Sequence, residues 1–398
     1  MKHFKSYSLI FFYSLIFFLY LSESYLTFFL YKGGEGRLDP NLKQKEKIYK
    51  NLTGKNYDVR TKMQFYEYYK TSNKNSSVTI EPYFLSSENF FYLGGISKTN
   101  TVACNENGYY STHLSDRYGF NNIDKEWDGK EIEYLLVGDS FIHGACVNRP
   151  DDVSSVLRKI SNRSVLNLGY RGNGPITQYA SLREYMPKNV KNILWFYFEE
   201  NDISDIKLEI KKTRLKMYLD DKNYNLDLKS KQDLINKLHK KRIEKNIIEK
   251  KLLDKYWESY YSTKKKILRF IRLNQFKRFV FSITNKEIKN NDNLSLSKFE
   301  ETLVAAKQLA DKNGSNFHFI YLGAYHRYKS PINSHKYKEN YPKIIKIVSN
   351  LGIPIIDTTN ELFLKTDDPL TYFPFREYGH YNVEGYKKLS ELIYNRIN

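Results

Sequence analysis

Cysteine is nearly absent from this chain. Cys104 and Cys146 are the only two among 398 residues. Two thiols with no histidine pair nearby exclude a structural zinc site of the common Cys/His kind, so no metal and no other cofactor is expected. No internal repeat is visible. Nor does a nucleic-acid-reading motif accompany the net charge of +19, and the basic stretch is Lys-rich rather than an Arg/aromatic platform. A nucleic-acid partner is therefore not expected. Acidic side chains are scarce in one place. Residues 206–290 hold 25 Lys+Arg against 10 Asp+Glu, so +15 of the +19 lies there and only +4 elsewhere. An anionic membrane surface or an acidic glycan suits that excess better.

What remains is ordinary for a globular protein, with 41% hydrophobic and 27% charged residues. The length allows a sizeable core plus additions. Tyrosine and phenylalanine are plentiful, at 35 and 25. With abundant Lys, Asn and Ile they fit biased codon usage as well as function.

The N-terminus reads as a targeting segment, residues 1–31. Lys2, His3 and Lys5 precede an apolar run over 8–21, Ser22-Glu23-Ser24 interrupts it, and 25–31 is apolar again. The first run suits a signal-peptide core, with small residues at a cleavage-like Ser22-x-Ser24. Both runs together make an uncleaved anchor with its basic end in the cytoplasm and Glu23 near the outer interface. Either reading exports the rest of the chain. In an oxidising compartment Cys104 and Cys146 can pair as a disulfide, tying the region before the core to the segment after Ser140; two free, partly buried thiols are the other reading.

Residues 32–128 are rich in Asn, Ser, Gly and Tyr with no long helical period, and read as a stalk and loop-rich extension. Within it, 117–122 looks like a turn packed on the core. From 129 to 398, α/β punctuation sets in. Strands are expected at 134–137, 165–168, 193–198, 317–322 and 353–356. Helices are expected at 151–160, 176–186, 299–311, 337–350 and 383–397. That alternation implies right-handed βαβ units, hence an α/β fold with a mostly parallel sheet covered on both faces. A helical Lys-rich insertion at about 206–293 interrupts it. There Ile267, Phe270, Leu273, Phe276, Val280 and Ile283 recur at steps of three or four among Lys and Arg. Such a basic amphipathic helix either lies on a membrane surface or packs its stripe on the main domain.

Four fragments at expected strand ends carry chemistry. Gly138-Asp139-Ser140-Phe141 follows the first strand. Asn167-Leu168-Gly169-Tyr170-Arg171-Gly172 follows the second, and Glu200-Asn201-Asp202 the third. His380-Tyr381-Asn382 comes after the fifth. Reactive groups of open α/β sheets gather at these carboxyl ends. Gly138 permits a tight turn, and a helix starting at Ser140 aims N–H groups at negative charge. Ser140 is then a nucleophile and His380 its base. The Gly172 N–H and the Asn201 amide can hold an oxyanion. Singly, each is a common loop, cap or turn residue.

Taken together and in this order, the fragments resemble the SGNH, or GDSL-type, hydrolases over about 132–398 apart from the insertion. The resemblance implies a three-layer, flavodoxin-like, five-stranded parallel sheet. It also implies a serine esterase with Ser140, Gly172 and Asn201 as oxyanion hole. Two departures stand out. Glu199 replaces the glycine of a Gly-x-Asn-Asp block, and Glu377 replaces the aspartate three residues before the histidine. Glu377 is the acid expected to orient His380, with a backbone carbonyl, Asp367 or Asp368 as substitutes. His143 is a lesser base, or a polar residue lining the cleft. The expected substrate is an O-acyl small molecule or glycan, with O-acetyl groups of a cell-envelope glycan foremost. Transfer to a sugar hydroxyl would use the same residues. A non-catalytic envelope scaffold that keeps the fold is the competing class.

Overall fold

A computed structural model describes residues 2–27, 42–80, 91–260, 263–284, 293–329 and 334–398. They form two compact units. One contains residues 1–55 and 246–291, the other 56–245 and 292–398.

The larger unit opens with the helix Lys62–Ser72, started by a capping box between Thr61 and Gln64. A small sheet follows, made of β1 (Ser76–Val78), β2 (Asn100–Val102) and β3 (Thr112–Leu114). In it β1 runs parallel and β3 antiparallel to β2. The sequence had suggested loops here. Strands of three residues are too short to show alternation, and the helix packs aromatic rather than aliphatic residues, with Phe65 stacked on Tyr69 and Tyr110.

The main sheet contains β4 (Ile132–Val137), β5 (Val165–Asn167), β6 (Val190–Phe198), β7 (Asn316–Leu322) and β8 (Ile355–Asp357). All four pairings are parallel, and the order is β5-β4-β6-β7-β8. This is the flavodoxin-like order. Leu135, Leu136 and Val137 of β4 and 193–198 of β6 are buried on both faces. That explains their continuous apolar run, as helix-covered parallel strands require. The helices Val153–Ser161 and Val383–Ile397 cover one face, with Leu157, Leu389 and Ile393 against Leu136, Leu194 and Ile320. On the other face Phe299, from the helix Asn293–Asn313, packs on Tyr197 and Phe319. Helix starts follow their caps: Asp152 accepts from Ser155 N–H, and Asn382 from Gly385 N–H.

Residues 206–245 pack into this unit. Leu215, Tyr218, Leu226, Leu228 and Ile235 are buried, and the Glu184 carboxylate accepts the N–H groups of Leu226 and Leu228 at 2.7 and 2.9 Å.

In the smaller unit, the helix Lys2–Tyr25 contains one stretch, Tyr7–Tyr25, long and apolar enough to cross a membrane. The second apolar run, 25–31, lies outside the described residues from 28 onward. The amphipathic stripe forms two helices rather than one, Thr263–Ile271 and Asn274–Thr284. Leu273 at φ +52° makes the break.

Candidate active site

At the end of β4 the chain must turn within one residue of Gly138. A Cβ there would lie 2.6 Å from Ile142 Cγ1 and 3.1 Å from Phe196 Cβ, so only glycine fits. The segment 139–146 is a run of turns, not the helix expected after Ser140. Gly144 and Cys146 both have positive φ, at +78° and +63°, which ends any helical progression. Neighbouring segments hold the turn from outside. Asn121 Nδ2 donates to His143 O at 2.9 Å, and Asn107 Nδ2 to Cys146 O at 2.9 Å. Asn167 Nδ2 donates to Ile142 O at 2.5 Å. Asn121 belongs to the turn 117–122, whose Phe120 is fully buried.

Ser140 Oγ lies 2.8 Å from His380 Nε2. These residues are 240 apart in sequence, and the bond brings the ends of β4 and the post-β8 loop together. Phe141 packs its ring 4.7 Å from the imidazole. The other ring nitrogen, Nδ1, lies 2.9 and 3.1 Å from the two oxygens of Glu106. The His380 backbone N–H donates to Glu106 Oε2 at 2.6 Å as well. Burial works to raise the Glu106 carboxyl, but the His380 charge, the hydrogen bonds from His380 and the Arg171 charge outweigh it and hold its pKa below the usual value.

The carboxylate on the imidazole is therefore Glu106, not Glu377. Glu377 accepts from the Tyr325 hydroxyl at 3.3 Å. Asp367 is exposed, and Asp368 caps Leu370 and pairs with Arg376. Glu106 stands between β2 and β3, outside the main sheet. Its neighbour Cys104 is disulfide-bonded to Cys146. That covalent link was the available clue, since a bridge from Cys104 to the segment after Ser140 draws every acid near Cys104 toward the hydroxyl.

Gly172, after β5, adopts φ +78°, a conformation natural to glycine. Among the described residues, no other group takes the Ser140 or Gly172 backbone N–H. Asn201, after β6, donates Nδ2 to Asp205 at 2.9 Å. Burial raises the pKa of Asp139, while the Phe141 N–H, the His380 charge and the Asn201 amide pull it down. Burial raises the Asp202 carboxyl as well, with the charges of Asp139 and Asp205 adding to it. Glu199, where a small residue was expected, is a buried anchor. It pairs with Arg327, takes the Tyr321 hydroxyl at 2.7 Å and takes the Ala324 N–H at 2.6 Å.

His143 does not meet Ser140. Its ring is buried edge-on to His113 at 5.1 Å and beside Tyr170 at 5.0 Å. Burial lowers its pKa to about 3, with Arg171 adding. Glu106, Cys146 and His380 bring three donor atoms within 4.8 Å of one another. The thiol is committed to its disulfide, and the other two groups are committed to each other. Two residues before His380, Tyr378 is 56% exposed and stacks on His326 at 4.9 Å and 21°. Glu200 lies 3.8 Å from that histidine.

No protein-family model and no curated protein matches the chain. Solved structures do resemble it. One is a putative lipolytic protein of the G-D-S-L family from Desulfitobacterium hafniense DCB-2, at 14% identity and TM-score 0.37, covering 67% of this chain and 99% of that one. An acetyl xylan esterase is similar at 11% identity and TM-score 0.37, over 67% and 100%. A catalytic mutant of an acetylxylan esterase from Geobacillus stearothermophilus is similar at 13% identity and TM-score 0.37, over 68% and 95%.

Proposed function

We propose that this chain is a membrane-anchored serine ester hydrolase acting outside the cytoplasm. The carrying observation is the 2.8 Å approach of Ser140 Oγ to an imidazole whose far nitrogen rests on a carboxylate. Ser140 attacks the ester carbonyl, and its proton passes to His380 Nε2. The tetrahedral oxyanion sits among the N–H groups of Ser140 and Gly172 and the Asn201 amide. Its collapse breaks the C–O bond, and the departing alkoxide takes the proton from His380. Water then adds to the acyl-serine with His380 again as base, releasing the carboxylic acid and free Ser140. Throughout, Glu106 keeps the proton on Nδ1 and balances the imidazolium that forms at each step.

The substrate reading is an O-acyl, foremost O-acetyl, glycan of the cell envelope. The Tyr378–His326 stack supports it, because an exposed aromatic face two residues before His380 offers a surface to the C–H face of a sugar ring. An N-terminal span would keep such an enzyme at the envelope.

A fluorophosphonate probe tests the chemistry. It is expected to label the parent chain and not Ser140→Ala, and labelling of neither defeats the reading. Product analysis on an acetylated oligosaccharide then separates release of acetate from transfer to an added sugar.

A further inference from the structure

The smaller unit contains a surface that the proposed reaction does not use. The stretch Thr263–Thr284, made of the helices Thr263–Ile271 and Asn274–Thr284, holds seven basic side chains and no acidic one. It nevertheless shows large apolar side chains to solvent. Ile267 is 56%, Ile271 54% and Phe281 66% exposed. This face is fastened to the apolar N-terminal helix. Glu23, near the end of that helix, is only 1% exposed. Its carboxylate accepts the Gln275 and Phe276 N–H groups at 3.1 and 2.7 Å, capping the second basic helix. Tyr20 donates to Ile271 O at 2.9 Å and packs on Phe270 at 5.8 Å. Between residues 7 and 18 the same N-terminal helix exposes Leu9, Ile10, Phe11, Phe12, Phe17 and Phe18.

We infer that Thr263–Thr284 is a membrane-surface element, lying in the headgroup layer of an anionic bilayer where the N-terminal span leaves it. Exposed apolar side chains carry no penalty once they reach the acyl boundary, and Lys and Arg beside them meet lipid phosphates. The Glu23 cap places the pair at the end of the span, where that layer begins. It also buries the Glu23 carboxylate. The inference rests on Tyr7–Tyr25 being a retained span.

The test uses the full chain in phosphatidylcholine nanodiscs with and without phosphatidylglycerol. Because the native thiols are bridged, single Ile267→Cys and Lys265→Cys variants each take an environment-sensitive fluorophore. Position 265 lies on the opposite side of the helix. The label at 267 is expected to shift to the blue and to be quenched more by a nitroxide at headgroup depth than by one at the bilayer centre. The label at 265 should stay aqueous. Phosphatidylglycerol should strengthen the response, and combined Lys264→Glu, Lys265→Glu and Lys266→Glu in the Ile267→Cys background should abolish that gain. A chain that fails to stay with the discs overturns the retained span and this inference together. A chain that stays but keeps the 267 label aqueous overturns the inference alone. So does shielding of that label only in discs holding two copies.

Discussion

The body and its N-terminal extension contribute to the candidate site in different ways. Ser140, Gly172 and Asn201 stand just after parallel strands, and His380 just ahead of the last helix, so the strand order fixes most of these positions with little else. Glu106 stands in no such place. It comes from the connection between two three-residue strands and reaches His380 through a disulfide two residues away. The two regions also treat their carboxylates oppositely. Glu106 is held low by His380, and Asp202, deep in the body, is pushed high by burial. In the proposed reaction, the attacking and oxyanion-holding groups thus follow from topology, whereas the orienting acid follows from a cross-link.

The contrast breaks most sharply at Glu106. Glu106→Gln is expected to lower kcat by up to about 10⁴-fold, the scale of loss when a triad carboxylate becomes an amide. Glu377→Gln should stay near the parent rate. Equal loss in both, measured on a small activated ester, would return the role to the body. Gly379→Ala is the subtler version. A Cβ there would lie 2.7 Å from Glu106 Oε2, so the carboxylate must leave the imidazole while the fold persists. A displacement of this size is expected to cost about 10²-fold in kcat, with a fall in Tm no larger than that of Glu106→Gln. Replacing both cysteines by serine releases the acid's segment and opens a link spanning 42 residues. On the chain-entropy account this costs about 4 kcal/mol of stability, readable by urea denaturation, and kcat should fall with it.

The smallest effect concerns pH. Asp202 has its folded pKa raised, so ionising it costs stability. That cost is absent below the ordinary carboxyl value and grows as pH rises above it. Asp202→Asn keeps an acceptor for the Phe198 N–H, now 3.0 Å from Asp202 Oδ2, and never ionises. Its Tm relative to the parent should therefore rise between pH 4 and pH 8. Glu106, with its pKa lowered, gives the opposite slope: its stabilisation is present above the ordinary value and lost as pH falls. Glu106→Gln should accordingly lose most Tm near neutrality.

Much of the main sheet was legible because its signals are local. The aromatic-rich run Ile193–Phe198 reads as a strand, which the structure buries on both faces, and the helix expected at 383–397 starts where Asn382 caps it. The sequence predicts a helix after Ser140, and the structure has turns there because their shape is imposed by Asn121, Asn107 and Asn167, which reach them from distant segments. Glu199 stands in the sequence as a departure from a glycine position, and its role is set by Arg327, 128 residues away. Glu106 left no periodic trace. Only Cys104 beside it hinted at where that stretch must lie.

The bridge between positions 104 and 146 turns the intervening polypeptide into a closed ring. β3, the Arg117–Asn122 turn and β4 all lie inside it. A protease that nicks this ring once therefore cannot part the acid from the hydroxyl, since both remain on one covalent body until a reductant opens it.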